Sequence, residues 1–408
     1  MAAGMECLQQ GQHAEAEGFF RQLLDADPND PEALYHQGAV LQDQGRLGDA
    51  ADSYRRILAL YPDNPETLGN LGIVLYRLGE GKEALSSFRR VLAANPSDAI
   101  ALATAGVILF EQGDFDEAGR MLKQAAGFDE RLDYGRVSFL GDEWRSRADP
   151  EKFDILVSAL PEMSGDMPPS SGDGPVVMTS CDPVYFRQFG KALALSVGHY
   201  APGVDFHLHV INPDPPLDDE IRDLRGRMGE TSFTVSTETA PGAGTLYYPV
   251  VRFIRLGQIL EATGREFLHL DADSLVRGPL ASLAAIDAGA DLSIPSRFED
   301  HVLKYKVLIS SLFVRPSAPA IRFMRRFGTF LANCIVDGDL VWCLDQTAFY
   351  ITYRMMQFDG ETVSLQPMPQ ALCDHDLDEG SDVWAAKGDL KENPAYEREC
   401  ARLLGTGA

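Results

Sequence analysis

The residues with the clearest chemical potential are two carboxylates one residue apart, Asp271 and Asp273, which follow a short apolar run. Residues two apart on an extended strand point to the same side, so both carboxylates are expected to face one ligand. Magnesium and similar hard divalent cations bind carboxylate oxygens and are often shared with substrate phosphates. The pair therefore predicts a site for Mn²⁺ or Mg²⁺ that also binds a diphosphate, although surface turns and helix caps carry the same three-residue pattern.

The carboxylate pair ends one strand in a region where strands and helices alternate, residues 175–408. Apolar runs of strand length recur between helix-like segments, at 175–182, 206–212, 232–239 and 267–270. This alternation predicts an α/β domain with a mostly parallel sheet covered on both faces. Ligands of such sheets bind beyond the carboxyl ends of the strands. The polar residues Thr179, Ser180 and Asp182, at the end of the first run, are therefore expected to share a cleft with the carboxylate pair.

A different pattern fills residues 1–130, where five classes of position recur every 34 residues. The classes are Gly4, Gly38, Gly72 and Gly106; Gly11, Gly45, Gly79 and Gly113; Ala16, Ala50, Ala84 and Ala118; Phe20, Tyr54, Phe88 and Leu122; and Pro28, Pro62 and Pro96. The first glycine would let a second helix approach closely, and the second glycine would occupy a turn where positive φ costs little. The proline would end each unit, because it cannot continue a helix.

This pattern resembles the tetratricopeptide repeat, with four units in residues 1–130. The resemblance implies an all-α solenoid that binds a protein or peptide partner on its concave face. Self-association through the array and a passive spacer role are the alternatives that the sequence leaves open.

A junction of a different composition, residues 131–174, separates the two patterns. Its first part is helix-like and is expected to cap the repeat array. Residues 161–174 are rich in Pro, Gly and Ser, which is the composition of a linker. The sequence therefore predicts three parts: a repeat array in 1–130, a capping helix and linker in 131–174, and an α/β domain in 175–408.

Residues 175–395 resemble a GT-A glycosyltransferase, most closely those of glycosyltransferase family eight. The resemblance rests on five short motifs in the family's order: Thr179, Ser180 and Asp182 with Tyr185; Tyr247 and Tyr248 with Arg252; Leu270 with Asp271 and Asp273; Asp345 with Gln346; and Gly388 with Lys391. It implies a Rossmann-like GT-A fold and a metal-dependent hexosyltransferase. The donor would be a nucleotide sugar, most simply a UDP-sugar, with Mn²⁺ or Mg²⁺ as cofactor.

The same resemblance assigns roles to the motif residues. Asp182 and Tyr185 would orient the nucleotide base, with Thr179 and Ser180 beside them in the donor site. Arg252, Gly388 and Lys391 would contact the diphosphate or the sugar, and Lys387 competes with Lys391 for that role. Asp345 and Gln346, together with Arg252, would act at the sugar and the acceptor hydroxyl. A surface arginine, a helix cap and a solvated terminal lysine are the simpler interpretations of Arg252, Asp345 and Lys391.

Two positions depart from the family's pattern. Ala385 stands where the family has a histidine that is the third metal ligand, and Ile309 stands where it has an asparagine that contacts the donor sugar. His375, or an acid near it, is the candidate substitute for the missing ligand. These departures favour a second hypothesis, a non-catalytic adaptor in which the repeats bind a partner and the transferase domain is degenerate.

Composition limits the classes of partner and compartment. The formal net charge is −25, which disfavours binding to nucleic acid through bulk electrostatics. No stretch reaches the ~18 apolar residues typical of a membrane-spanning helix. The six cysteines form no CxxC pair, and the N-terminus lacks the features of a signal peptide, so we expect reduced thiols in a cytoplasmic protein. The abundance of Ala, Arg and Asp suggests a bacterial source.

Overall fold

The computed structural model describes residues 1–129, 132, 140–172 and 174–406. The chain forms two compact units. The first comprises Met1–Gly141 together with Phe298–Lys306, and the second comprises Asp142–Arg297 and Val307–Ala408. The boundary predicted between residues 130 and 131 lies outside the described residues.

The first unit is built from helices that pack against their neighbours in sequence. Its described helices are α1 (Ala2–Gln9), α2 (His13–Ala26), α3 (Pro31–Asp43), α4 (Leu47–Leu60), α5 (Pro65–Arg77), α6 (Gly81–Ala94), α7 (Ala99–Gln112) and α8 (Phe115–Phe128). Short turns join them into four helix pairs, as the 34-residue period predicts. The second helix of each of the first three pairs ends two residues before the recurring proline, which confirms its role as a terminator.

Both predicted glycine classes are confirmed. The turn glycines all have positive φ: Gly11 at 72°, Gly45 at 75°, Gly79 at 82° and Gly113 at 86°. The helix glycines lie directly on the large side chain of the second helix. A Cβ added at Gly38 would stand 2.7 Å from the ring of Tyr54, and one at Gly72 would stand 2.8 Å from Phe88. A side chain at either position would push the two helices apart.

A sixth class of position, not among the five that the sequence analysis identifies, recurs every 34 residues at Asp30, Asn64 and Asp98. Each of these residues is the N-cap of the first helix of a repeat, and its side-chain oxygen accepts a backbone N–H of the first turn. The acceptor satisfies an amide that would otherwise lack a partner at the helix start. Polar residues are common throughout the sequence, so the period of these three does not by itself identify them as N-caps. The positions of the helix starts do.

The second unit contains a sheet of eight strands and a separate two-stranded sheet. The strands are β1 (Ser164–Gly165), β2 (Val176–Cys181), β3 (Phe206–Ile211), β4 (Phe233–Glu238), β5 (Phe267–Leu270), β6 (Ser274–Val276), β7 (Leu292–Ile294), β8 (Ser311–Val314), β9 (Leu365–Pro367) and β10 (Val383–Ala385). The large sheet has the order β1-β4-β3-β2-β5-β8-β7-β9, and β10 pairs with β6.

The large sheet is mixed, whereas the sequence predicted a mostly parallel one. Strands β4, β3, β2 and β5 are parallel neighbours, but β8 runs antiparallel to both β5 and β7, and β1 is antiparallel to β4. Every residue of β7 and β8 is buried. Runs of three or four buried residues show no alternation, so their direction could not be inferred from the pattern.

Helices cover this sheet and complete the second unit. They are α9 (Gly141–Arg147), α10 (Phe153–Ser158), α11 (Pro183–Tyr185), α12 (Lys191–Tyr200), α13 (Leu217–Arg227), α14 (Tyr247–Thr263), α15 (Ala318–Asp337), α16 (Leu344–Phe358) and α17 (Pro394–Leu404). A π-helical segment, Phe186–Gly190, joins α11 to α12. Among the described residues, no helix combines the length and apolarity needed to cross a bilayer.

The segment predicted as a capping helix and linker belongs to the second unit from residue 142 onward. Strand β1 extends the sheet, and the buried Arg265 fixes the chain that follows it. The Arg265 guanidinium donates to the carbonyls of Pro169 and Gly174, each at 3.0 Å, and to the Asp205 carboxylate at 2.9 Å. The chain here is irregular in structure but held in place, because Arg265, distant in the sequence, donates hydrogen bonds to the carbonyls of Pro169 and Gly174.

The packing of Gly72 predicts opposite effects for two alanine substitutions in α5. Gly72→Ala should lower the free energy of unfolding by about 1–3 kcal/mol, because the new methyl overlaps the Phe88 ring. Gly69→Ala, three residues earlier with no atom within 4 Å of its Cβ position, should raise it by up to about 1 kcal/mol. Urea unfolding followed by circular dichroism measures both, and equal effects of the two variants would contradict the packing role.

Candidate functional site

A cleft of about 520 Å³ opens at the carboxyl ends of β2 and β5 in the second unit. The residues predicted from five separate motifs meet there: Ser180, Asp182, Tyr185, Arg252, Asp271, Asp273, Asp345, Gln346, Gly388 and Lys391. Strands β2 and β5 are parallel neighbours, so their ends lie at the same edge of the sheet. Helices α14 and α16 bring Arg252 and Asp345 to that edge.

Asp271 is held between two basic side chains. Lys387 Nζ lies 2.6 Å from Asp271 Oδ2, and Arg252 Nη1 pairs with Asp271 Oδ1. The carboxylate is only 13% exposed, and burial alone would raise its pKa. The charges of Arg252 and Lys387 outweigh that effect and hold the pKa of Asp271 well below its usual range. The side chain is therefore a fixed negative charge.

Arg252 also reaches the second candidate carboxylate, Asp345. Its Nη2 lies 3.2 Å from Asp345 Oδ2, and the backbone N–H of Gln346 donates to Asp345 Oδ1 at 2.9 Å. Burial raises the pKa of Asp345, and Arg252 offsets that rise only in part. Asp271 and Asp345 thus share one arginine but differ in the direction of their pKa shifts, which suits them to different tasks.

Asp273 is paired with Lys391 and Tyr185. Lys391 Nζ lies 2.7 Å from Asp273 Oδ2, and the Tyr185 hydroxyl donates to the same oxygen at 2.8 Å. The other oxygen, Asp273 Oδ1, is buried and has no hydrogen-bond partner among the described residues. The Tyr396 hydroxyl donates to the Asp273 backbone carbonyl at 2.8 Å and fixes the main chain. One carboxylate oxygen therefore stays available to a ligand.

The loop after β2 is positioned by Asp182. Its side chain accepts the backbone N–H of Tyr185 at 2.7 Å and caps α11. The cap orients Tyr185, whose hydroxyl accepts from Lys391 at 2.7 Å. Thr179 does not line the cleft; it is fully buried within β2. Only the last residues of the strand reach the edge.

His375 does not join the carboxylate pair. Its Nδ1 lies 2.8 Å from the Ala385 carbonyl, and its Nε2 lies 3.6 Å from Cys373 Sγ. The thiol and the burial of the ring act in opposite directions on the pKa of His375, and the thiol prevails, so that pKa is raised. Across the described residues, no group of three or more His, Cys, Asp or Glu side chains is arranged to hold a metal ion. Asp271 and Asp273 therefore remain the candidate metal ligands at the cleft.

The structure adds residues that the motifs did not select. Lys387, weighed in the sequence only as a rival of Lys391, contacts Asp271 while Lys391 contacts Asp273, so the two lysines serve different carboxylates. Trp342 also lines the cleft and is 71% exposed. No sequence pattern predicted that Trp342 would line the cleft, because the exposure of a side chain depends on the fold.

The tetratricopeptide repeat family model matches residues 1–65 and 70–130. These residues are the eight-helix array and form a tetratricopeptide repeat region, as the 34-residue period predicted. No curated protein matches the chain.

Similar solved structures align with about a third of the chain. They include MamA residues 41 to the end from Desulfovibrio magneticus, at 24% identity over 39% of this chain and 88% of that one, with a TM-score of 0.33. A tetratricopeptide repeat protein from Parabacteroides merdae has 22% identity over 39% and 64% of the two chains, with a TM-score of 0.33. YrrB, described as a TPR protein with an unusual peptide-binding site, has 27% identity over 32% and 68%, with a TM-score of 0.31.

The shared arginine predicts a pH-dependent loss of stability in Arg252→Met. Without the guanidinium, two buried carboxylates lose their common cation, and the free energy of unfolding should fall by about 3–5 kcal/mol. Asp271 keeps its contact with Lys387, but Asp345 loses its cation, so its folded-state pKa rises further above the unfolded one and the variant loses stability relative to wild type as pH rises. The deficit against wild type should be larger at about pH 7 than at about pH 5.

Urea unfolding at the two pH values measures this deficit. Arg222→Met is the matched control, because Arg222 pairs with Asp219 on the surface with both side chains more than three-quarters exposed. Its effect should stay within about 0.5 kcal/mol at either pH. A deficit for Arg252→Met that is the same at both pH values would show that the lost stability does not come from the ionisation of Asp345.

Proposed function

We propose that the cleft of the second unit binds a nucleoside diphosphate sugar and transfers the sugar to an acceptor hydroxyl. The observation that carries this proposal is the convergence of residues from five sequence motifs on a single cleft at the ends of β2 and β5. The residues lie far apart in the chain, and unrelated surface residues would have no reason to meet. The resemblance of the motifs to a GT-A glycosyltransferase supports the same conclusion.

The charges of the cleft suit a diphosphate. Arg252, Lys387 and Lys391 line the cleft beside its carboxylates, and all three would contact the phosphate oxygens of a diphosphate bound there. Fixed cations aimed at a leaving diphosphate stabilise the charge that develops as the bond to the sugar breaks. Lysine and arginine both bind phosphate, arginine with two parallel hydrogen bonds.

The carboxylates fit a divalent cation, because Asp273 Oδ1 is buried without a partner and Asp271 lies one residue away. Mg²⁺ is commonly held by one or two carboxylates together with substrate phosphates, so a third protein ligand is not required. Asp271 and Asp273 would hold Mn²⁺ or Mg²⁺, which when bound supplies Lewis-acid stabilisation of the diphosphate. The lysines that now contact these carboxylates would then face the phosphates.

The remaining cleft residues position the substrates. Tyr185, fixed by the Asp182 cap, lines the cleft, and its ring would stack on the nucleotide base. Asp345 is oriented by Arg252 and by the Gln346 amide, and it would accept a hydrogen bond from the sugar or from the acceptor hydroxyl. Its raised pKa brings it closer to neutrality than an ordinary aspartate, which favours exchange of a proton with a hydroxyl.

The repeat array would bind the acceptor or a protein that delivers it. Tetratricopeptide repeats present extended surfaces that bind protein partners. We therefore propose that the array recruits a protein acceptor or a partner of the transferase, with self-association as the competing role. This proposal rests on the presence of the repeat array and the cleft in one chain, and that fact does not identify a particular partner.

Calorimetric titration of UDP and of GDP, with and without Mn²⁺, tests the donor site. We expect micromolar binding of one nucleotide, weakened at least tenfold in Lys391→Met, a loss of about 1.4 kcal/mol, because a cation at the diphosphate is removed. Lys123→Met is the matched control, since Lys123 is exposed on α8. Binding of neither nucleotide under any condition would favour the adaptor hypothesis, which the replacement of the family's histidine by Ala385 already supports.

Turnover separates catalysis from binding. Asp345→Asn keeps the shape of the side chain and the hydrogen bond from the Gln346 amide but removes the carboxylate charge. It should bind UDP within about threefold of wild type while the release of UDP from UDP-hexoses falls at least tenfold, or about 1.4 kcal/mol in the barrier. A UDP-release assay over a panel of UDP-hexoses measures this, and undiminished turnover would exclude Asp345 from the reaction.

A further inference from the structure

Residues 298–306 pack with the helical repeats, although in the chain they lie between β7 and β8 of the second unit. The segment has one 3-10 turn, Leu303–Tyr305, and its Leu303 side chain is fully buried. A loop between two strands would ordinarily be exposed at the surface. Here an apolar residue and a lysine of the loop are both buried in the helical unit.

The lysine is Lys306, whose side chain has no exposed surface. Its Nζ lies 2.9 Å from Glu111 Oε1, bonds to the Tyr76 hydroxyl, and donates to the Phe298 carbonyl at 2.7 Å. An ammonium has three N–H donors, and these three acceptors match them. The Nζ also stands 4.9 Å from the centroid of the Tyr76 ring, within the range of a cation–π contact.

Two of those acceptors belong to the repeats. Tyr76 is near the end of α5 and Glu111 near the end of α7, the first helices of consecutive repeats. The Tyr76 hydroxyl lies 2.9 Å from each carboxylate oxygen of Glu111, so the two side chains form one preassembled acceptor pair. A partly buried carboxylate beside an aromatic hydroxyl and an aromatic face is a receptor for an ammonium group.

The surface around Tyr76 and Glu111 includes a cavity that residues 298–306 do not fill. A cavity of about 650 Å³ is lined by Tyr76, Arg77, Ile108, Glu111, Gln112 and Phe298, among others. It lies at the carboxyl-terminal ends of α5 and α7 and at the start of α6. A peptide longer than residues 298–306 could therefore extend across these helix ends.

We propose that Tyr76 and Glu111 form a lysine-binding site of the repeat array, and that residues 298–306 are its internal ligand. The recognised chemistry is an aliphatic side chain followed three residues later by a lysine, as in Leu303 and Lys306. An external peptide with that pattern competes with the internal segment, so the array accepts such a partner only when the segment is displaced. This inference does not depend on the glycosyl-transfer chemistry proposed above.

Chemical labelling of lysines in the wild-type chain tests the proposal without a destabilising substitution. Acetylation with an activated ester, quantified by mass spectrometry, should leave Lys306 protected while the neighbouring Lys304 reacts. An excess of a synthetic peptide copying residues 297–307 should raise the labelling of the protein's own Lys306 at least fivefold. The same peptide with methionine in place of the lysine that copies Lys306 should have no such effect. Unchanged labelling of Lys306 at saturating peptide would show a permanent structural tie and overturn the proposal.

Binding to variants of the full chain provides the second arm. Fluorescence anisotropy of the labelled peptide should report at least tenfold tighter binding to Lys306→Ala than to wild type, because the site is vacated. Adding Glu111→Gln to Lys306→Ala should abolish that gain, whereas adding Glu66→Gln, which removes a carboxylate at the start of α5, should retain it. Equal affinity of the peptide for wild type and for a folded Lys306→Ala variant would contradict the proposal.

Discussion

The burial of Asp271 between Arg252 and Lys387 is the constraint on which the candidate site depends. A carboxylate that is 13% exposed is tolerated only when cations compensate its lost hydration, and two basic side chains do so here. The same arginine reaches Asp345, and Lys391 serves Asp273 in the same way. The cleft is thus lined by a network of paired opposite charges.

A comparable solution recurs in the repeat array, where a charged group is also removed from water. Lys306 is buried against Glu111 and Tyr76 with an acceptor for each of its donors. In both places the ion pair is formed by residues far apart in the chain. Each ion pair therefore forms only when the chain has folded. Removing one partner leaves the other as a charge that is shielded from water without compensation.

The array and the cleft differ in how far they could be predicted. The 34-residue period located the helix pairs, the turn glycines and the glycines that lie against Tyr54 and Phe88, because repetition multiplies a weak local signal. The cleft had no repetition. Its ten residues were selected through a family resemblance and one rule about the ends of parallel strands. The selection failed for Thr179, which is buried inside β2, and for His375, which bonds to Ala385 and contacts Cys373.

The sequence by itself determined the local structure: which segments are helices, where the turns lie, and which carboxylates follow a buried strand. These properties depend on neighbours within a few residues or on a fixed period, so the chain encodes them locally. Only the tertiary structure decided the direction of β7 and β8, the contacts of Arg265 with the carbonyls of Pro169 and Gly174, the division of carboxylates between Lys387 and Lys391, and the packing of residues 298–306 with the helices. Each of these depends on contacts between residues distant in sequence, whose separation in space no local pattern records.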